Sequence, residues 1–178
     1  MTPPQLGSLA WAAADEHPEL LAEPVAAAIS ALELRCWVAA IDPTLADTAA
    51  FCAAYDVPLD VSANCVVVAG RRGEDTKMAA CMVLATDRAD VNKTVRKHLD
   101  VRKISFAPMD EAVSLTSMEY GGITPVGLPT SWPVLVDAGV TATDLVVIGS
   151  GIRGSKILIA GLDLAALPAA ETLPLALR

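Results

Sequence analysis

Apolar positions in this chain change period several times, and each change marks an expected element. Over residues 8–33 the spacing is helical. Leu9-Ala10-Trp11-Ala12-Ala13-Ala14 runs to a break near Pro18, and Val25, Ile29 and Leu32 then fall at i, i+4 and i+7 on one face. Arg35-Cys36-Trp37-Val38-Ala39-Ala40-Ile41 reads as a strand, and Asp42-Pro43, a cap followed by proline at the first helical position, predicts a helix over 43–55. Two apolar runs, 64–69 and 78–85, flank the polar, glycine-bounded stretch 70–75 and predict an antiparallel hairpin. Asp90 is placed to cap a helix carrying Val91, Val95 and Leu99 on one face. Further on, 104–106 reads as a short strand, 109–118 as a helix, and 134–137, 145–148 and 157–160 as strands. Short strands mixed with helices and at least one hairpin predict a mixed α/β fold, a twisted, partly barrel-like sheet with helices around it.

One segment breaks every period. Glu119-Tyr120-Gly121-Gly122-Ile123-Thr124-Pro125-Val126-Gly127-Leu128-Pro129 packs three glycines and two prolines into eleven residues, which fits neither a helix interior nor a central strand. It is a shaped loop between apolar elements. One reading is a turn that links a helix to a strand. The other is a floor of main-chain N–H groups, opened by the paired glycines, for an anion or a developing oxyanion.

Composition narrows the options. At 178 residues the chain predicts one domain, 1–178, and with 53% hydrophobic but 4% aromatic residues its core is aliphatic. So few aromatics argue against an aromatic sheet that stacks bases. A net charge of −8 argues against a general binder of polyanions, yet nine basic residues and five acidic ones fall within 71–103. That basic stretch is either a solvated face or a landing strip for phosphates. No apolar run is long enough to cross a bilayer and Met1-Thr2-Pro3-Pro4-Gln5 lacks a basic leader, so a cytoplasmic protein without membrane contact is expected. Cys36, Cys52, Cys65 and Cys81 lie in apolar surroundings with no Cys-x-x-Cys pair and only two histidines in the chain. Four reduced core thiols and no metal site are expected.

Gly149-Ser150-Gly151-Ile152-Arg153-Gly154 matches the spacing of a dinucleotide-binding loop. That loop requires a helix after it, whereas the strand-like Ser155-Lys156-Ile157-Leu158-Ile159 follows. A tight hairpin accounts for these glycines.

From Ser62 to Leu167 the order of segments resembles the family of YbaK and prolyl-tRNA-synthetase editing domains, which includes free-standing aminoacyl-tRNA deacylases. The matching pieces are the hairpin, the basic helix, the run from Thr116 through Gly121-Gly122-Ile123-Thr124-Pro125 to Gly127, Val134-Leu135-Val136-Asp137 and the 149–154 loop. The first 60 residues match loosely. The resemblance implies a cofactor-free pocket that takes the amino acid and terminal adenosine of a mischarged tRNA and hydrolyses the ester. The partners it implies are the aminoacylated acceptor end and, as a second expected partner, an aminoacyl-tRNA synthetase.

The family usually places a lysine, followed by Thr or Ser, near the start of the first hairpin strand, and here that pair is Asn64-Cys65. Two positions after Gly154, where some members carry an acid, stands Lys156. Either Lys156 reaches the pocket from the other wall and restores the missing ammonium, or it is a surface lysine guarding a strand edge. The resemblance makes Gly121, Gly122, Asn64 and Lys156 the catalytic candidates, with Thr124, Pro125, Cys65, Asp137, Gly151 and Arg153 around the substrate. Each has a plainer alternative: Asp137 as a turn former or helix cap, Cys65 as a packed thiol, Thr116 and Thr124 as local backbone partners. The expected activity is a trans-acting aminoacyl-tRNA deacylase. Its competitors are an inactive module that binds aminoacyl-tRNA ends, a nucleotide or a protein, and a hydrolase of another small ester.

Overall fold

In the computed structural model, which describes residues 2–177, the strands alternate their side chains between separate cores. The elements run β1 Ala12–Ala13, α1 Glu23–Ala31, β2 Cys36–Ala40, α2 Thr48–Tyr55, β3 Ala63–Arg72, β4 Asp75–Leu84 and α3 Arg96–His98. After these come β5 Lys103–Phe106, α4 Met109–Thr116, β6 Val134–Asp137, α5 Ala138–Thr141, β7 Leu145–Gly149, β8 Ser155–Ala160, α6 Gly161–Ala165 and β9 Ala170–Leu173. One sheet has the order β1-β2-β8-β7, the other β5-β3-β4-β6-β9.

Period two explains the layers. Val146, Ile148, Ile157 and Ile159 point into a central core with Val134, Val136 and Met82 of the facing sheet. The intervening Val147 and Leu158 point the other way, onto Phe51 and Cys52 of α2. On the far sheet Leu135 turns outward with Val68 and Cys81 to meet Val91, Val95 and Leu99. Strands buried on both faces read as continuous apolar runs, which is what 134–137, 145–148 and 157–160 show. β6 pairs in parallel with β4 and β9, while the β3–β4 and β7–β8 pairs are antiparallel hairpins. An isolated bridge between Ser62 and Val147 joins the two sheets, so the surface bends without closing.

Several elements depart from expectation for local reasons. The helical stretch 8–33 is cut up: Pro18 opens a single 3-10 turn, Pro24 restarts the chain as α1, and Ala12–Ala13 pairs with β2 instead. The helix over 43–55 is divided because there are two caps. Asp42 accepts from the Thr44 N–H and closes a short turn at Pro43–Leu45, and Asp47 then accepts from Ala49 and Ala50 to start α2. The basic helix begins as a wide π turn, Val91–Val95, before three α-helical residues. β9 is an element the apolar pattern misses, because Ala170-Glu171-Thr172-Leu173 is an outer strand with an exposed centre. The 149–154 glycines do form a β7–β8 hairpin, with Gly151 at φ +88°. All four cysteines are free thiols.

Candidate functional site

A cavity of about 480 Å³ opens where the start of α2 meets the near ends of both sheets. β3 contributes Asn64 and Cys65, β8 contributes Lys156, and Asp47 and Thr48 come from the first turn of α2. Gly121 and Ile123 of the glycine loop, Gly149 and Ala112 complete the inner wall, and Phe106, Met109 and Tyr120 form an exposed apolar rim.

Lys156 is 7% exposed. β8 lies between β2 and β7, so Lys156 is on an interior strand and the edge-guarding reading fails. Its parity with Leu158 turns it towards α2, where Nζ donates to the Ala46 carbonyl at 2.9 Å and lies 5.1 Å from the centroid of the Phe51 ring. Burial holds its pKa below the usual lysine value, while Cys52 and Asp47 pull it back up and Arg153 pushes it further down. One of its three donors is taken by Ala46, which leaves donor capacity at the cavity wall.

Asn64 enters from the opposite sheet. Its Oδ1 accepts from the Thr48 hydroxyl at 2.5 Å, so the amide NH₂ is its remaining hydrogen-bonding group. Thr48 is a site residue that sequence reasoning missed. The signal was available, since an Asp at 47 followed by Thr48-Ala49-Ala50 is a cap pattern, but Pro43 drew the helix start five residues too early. Cys65 lines the cavity as well, and burial pushes its thiol well above the ordinary value, with Cys81 adding to the rise. No histidine lines this cavity among the described residues, and burial favours Cys65 as a protonated, packed thiol over a nucleophile.

The paired glycines behave differently from one another. The Gly122 N–H donates to the Glu119 carbonyl at 3.0 Å and its own carbonyl accepts from Gly151 at 2.7 Å, so Gly122 is a structural joint and its amide is not open to a ligand. Gly121 lines the cavity at φ +82°, and its N–H makes no hydrogen bond among the described residues. Of the two amides expected to form an oxyanion floor, that of Gly122 is taken within the protein and that of Gly121 is left without a protein acceptor among the described residues. Gly151 also accepts from the Glu119 N–H and stands outside the cavity lining. Arg153 braces the same loop, with its N–H on Glu119 Oε1 at 3.0 Å and Nη1 on the Tyr120 carbonyl at 3.1 Å. Thr124 and Pro125 are buried in the loop and do not line the cavity; Thr124 Oγ1 has no hydrogen-bond partner among the described residues. Thr116 bonds local backbone, donating to the Ala112 carbonyl at 2.7 Å.

Asp137 is the clearest correction. It is fully buried, outside the cavity, with Oδ2 accepting from Gly139 at 2.8 Å and Oδ1 from Leu175 and Ala176 at 2.8 and 3.0 Å. It caps α5 and ties down the C-terminal segment, so it cannot order a ribose hydroxyl. Asp137→Ala removes the side-chain acceptor of the Gly139, Leu175 and Ala176 N–H groups and is expected to lower stability by about 3 kcal/mol in denaturant melts. Any site activity per folded molecule should be unchanged.

The sequence profile of the aminoacyl-tRNA editing domain matches residues 42–167, a span that contains α2, both walls of the cavity and the glycine loop. The chain belongs to this family. Around the editing domain, the fold is shared with solved structures of low identity. One, described as "a putative trans-editing enzyme for prolyl tRNA synthetase", superposes with a TM-score of 0.74 at 20% identity, covering 88% of this chain and 97% of the other. Another, described as a hypothetical protein, reaches 0.77 at 20% identity over 87% and 100% of the two chains. At that identity the likeness concerns the fold alone. Among the described residues no helix is long and apolar enough to cross a membrane, and no group of three or more His, Cys, Asp or Glu side chains is placed to hold a metal ion.

Proposed function

We propose that this editing domain hydrolyses the ester of a mischarged aminoacyl-tRNA in trans. The observation that carries the reading is Lys156: a buried ammonium at the wall of a cavity whose opposite wall carries Asn64, with no second lysine in its lining among the described residues. Burying an ammonium is costly unless it is paired or used, and one carbonyl and one ring face are modest compensation. An ester carbonyl that becomes an oxyanion supplies what this site otherwise lacks.

In the proposed reaction the terminal nucleoside enters across the Phe106 and Tyr120 rim and the aminoacyl group points inward. Asn64 donates through its NH₂ to the carbonyl or to a ribose hydroxyl, with Thr48 fixing the amide's orientation. Water, activated by backbone groups or by a hydroxyl of the substrate itself, adds to the carbonyl carbon. The Lys156 ammonium and the Gly121 N–H stabilise the negative charge on the former carbonyl oxygen, an effect worth on the order of 3 kcal/mol per donor in comparable sites. The C–O ester bond then breaks, and the departing ribose oxygen takes up the proton that the water gave. Removing errors at a second site answers the weak discrimination between small side chains at a synthetase's first site, where one methylene is worth only about 1–3 kcal/mol. A tRNA released by a synthetase is the natural substrate for such a domain, and a synthetase its natural neighbour in the cytoplasm.

Asn64 at the position of the family lysine supports the rival reading, a binder that has lost catalysis. A panel of mischarged tRNAs separates them. Multiple-turnover deacylation of at least one by the native chain is expected, while deacylation by Asn64→Lys alone would overturn the proposal and leave a binding module.

A further inference from the structure

Nine basic side chains fall within 71–103, and the fold sorts them. Arg72 is engaged with Asp100 by an ion pair and by a hydrogen bond from Nη1 to its carbonyl, and Lys77 Nζ donates to the Leu99 carbonyl at 3.0 Å. Arg71, Arg96, Arg102 and Lys103 make no side-chain hydrogen bond or ion pair among the described residues, all are exposed, and all four line a single groove of about 730 Å³. Arg71 and Lys103 are register partners on β3 and β5, which sets their side chains together on one face. Among the described residues Glu111 is the one carboxylate that lines the groove. In a chain of net charge −8, four uncommitted cations against one acid make a local field that opposes the average.

The groove also lies next to the cavity. Residues 105–112 form the partition: Ser105, Pro108 and Glu111 face the groove, while Ala107, Met109 and Ala112 face the cavity. Phe106 stands at the mouth and is 69% exposed, an apolar ring with no packing reason to be in water. Cations along a groove and an exposed aromatic at the mouth of the adjoining cavity are the parts of a site for single-stranded nucleic acid, where phosphates meet the charge and a base stacks on the ring. A charged edge on β5 that merely discourages sheet-to-sheet pairing would need the charge but not this placement.

We infer that this groove holds the backbone phosphates of the single-stranded RNA 3′ end whose terminal nucleoside enters the cavity, with Phe106 as the stacking platform at the turn between them. The inference rests on the deacylase reading for its substrate, but its test does not require hydrolysis. The probe is a 5′-fluorescent, uncharged RNA minihelix ending in a single-stranded CCA overhang, titrated with the full chain and followed by anisotropy at several salt concentrations. The Arg96→Glu/Arg102→Glu pair is expected to weaken binding at least about tenfold and to flatten the dependence of log Kd on log salt by roughly 1 to 1.5, as expected for two lost phosphate contacts on a single strand. Lys93→Glu/Lys97→Glu, exposed and outside the groove, changes the net charge equally and should shift Kd by less than about threefold. Phe106→Ala should weaken the overhang-bearing probe and leave a blunt minihelix unaffected. Equal weakening by both charge pairs, equal binding of blunt and overhanging probes, or no binding by the native chain would each overturn the inference. A native chain that binds the probe but deacylates no mischarged tRNA would instead count against the deacylase reading alone.

Discussion

Lys156→Met is expected to lower kcat/KM for deacylation by about 10²–10³-fold and, at the same time, to make the protein more stable at neutral pH. The first effect is the loss of a donor to the developing oxyanion, in the range measured when one such donor is removed elsewhere. The second comes from exchanging a buried charge for an apolar side chain of similar length beside Phe51, a change commonly neutral or stabilising by about 1–2 kcal/mol. The pH dependence separates this from ordinary repacking. Because burial depresses the folded-state pKa below 10.5, the unfolded chain binds more protons than the folded one between that depressed pKa and 10.5. Stability of the native chain therefore rises with pH across that window, and its deficit against the Met variant, complete below the window, closes at the top of it. Activity runs the other way: it needs the charged ammonium and falls as pH rises through the same depressed pKa. Thermal melts and single-turnover deacylation over the alkaline range measure both curves. A Met variant that keeps its activity, or a native stability that is flat across the window, defeats the assignment.

The same residue shows what could be read from the chain and what could not. That 157–160 is a strand, and that Lys156 begins it, follows from local pattern. That the strand has neighbours on both sides depends on β2, more than a hundred residues earlier, pairing with it, and no local pattern carries that information. Burial of Lys156 is thus a product of strand order. Asp137 fails as a ligand for a related reason: its partners, Leu175 and Ala176, lie at the far end of the chain, and only the parallel β6–β9 pairing brings them near. Of the two helical runs read in 8–33, the one after Pro24 is α1, and the one over 9–14 fails because alanine-rich spacing suits a helix and gives no warning that Ala12 and Ala13 would be drawn onto a sheet edge. The long hairpin and the glycine loop were legible because their signals are local: two apolar runs about a polar turn in the one, punctuation by Gly and Pro in the other. What the loop's sequence could not disclose is that its two adjacent glycines divide the work, one facing the cavity and the other fastening the loop.

That division predicts a large and asymmetric mutational effect. A Cβ on Gly122 would stand 2.7 Å from the Ile152 carbonyl carbon and oxygen and 2.9 Å from its nitrogen, all main-chain atoms of a hairpin held in a sheet. A Cβ on Gly121 would meet chiefly the Arg153 guanidinium at 2.4 Å, the mobile end of a side chain, although φ +82° adds strain of its own. Gly122→Ala is therefore expected to lower stability by about 3 kcal/mol or more, because rigid backbone must part and the Gly151-to-Gly122 hydrogen bond goes with it. Gly121→Ala should lose about 1–2 kcal/mol, the penalty of a left-handed alanine, while displacing Arg153 from Tyr120. Gly149 faces the same contact from below, its Cβ position 2.6 Å from the Gly122 carbonyl, so Gly149→Ala opens much of the same gap. The double variant Gly122→Ala/Gly149→Ala should then fall short of the sum of its parts by 1 kcal/mol or more, as expected for two residues coupled through one displacement. Denaturant melts of the four proteins test this directly. If Gly122→Ala loses less than about 1 kcal/mol, or if the two losses simply add, the loop is not fastened to the hairpin at this point. The cavity would then lack the rigid wall on which Gly121 depends for its position.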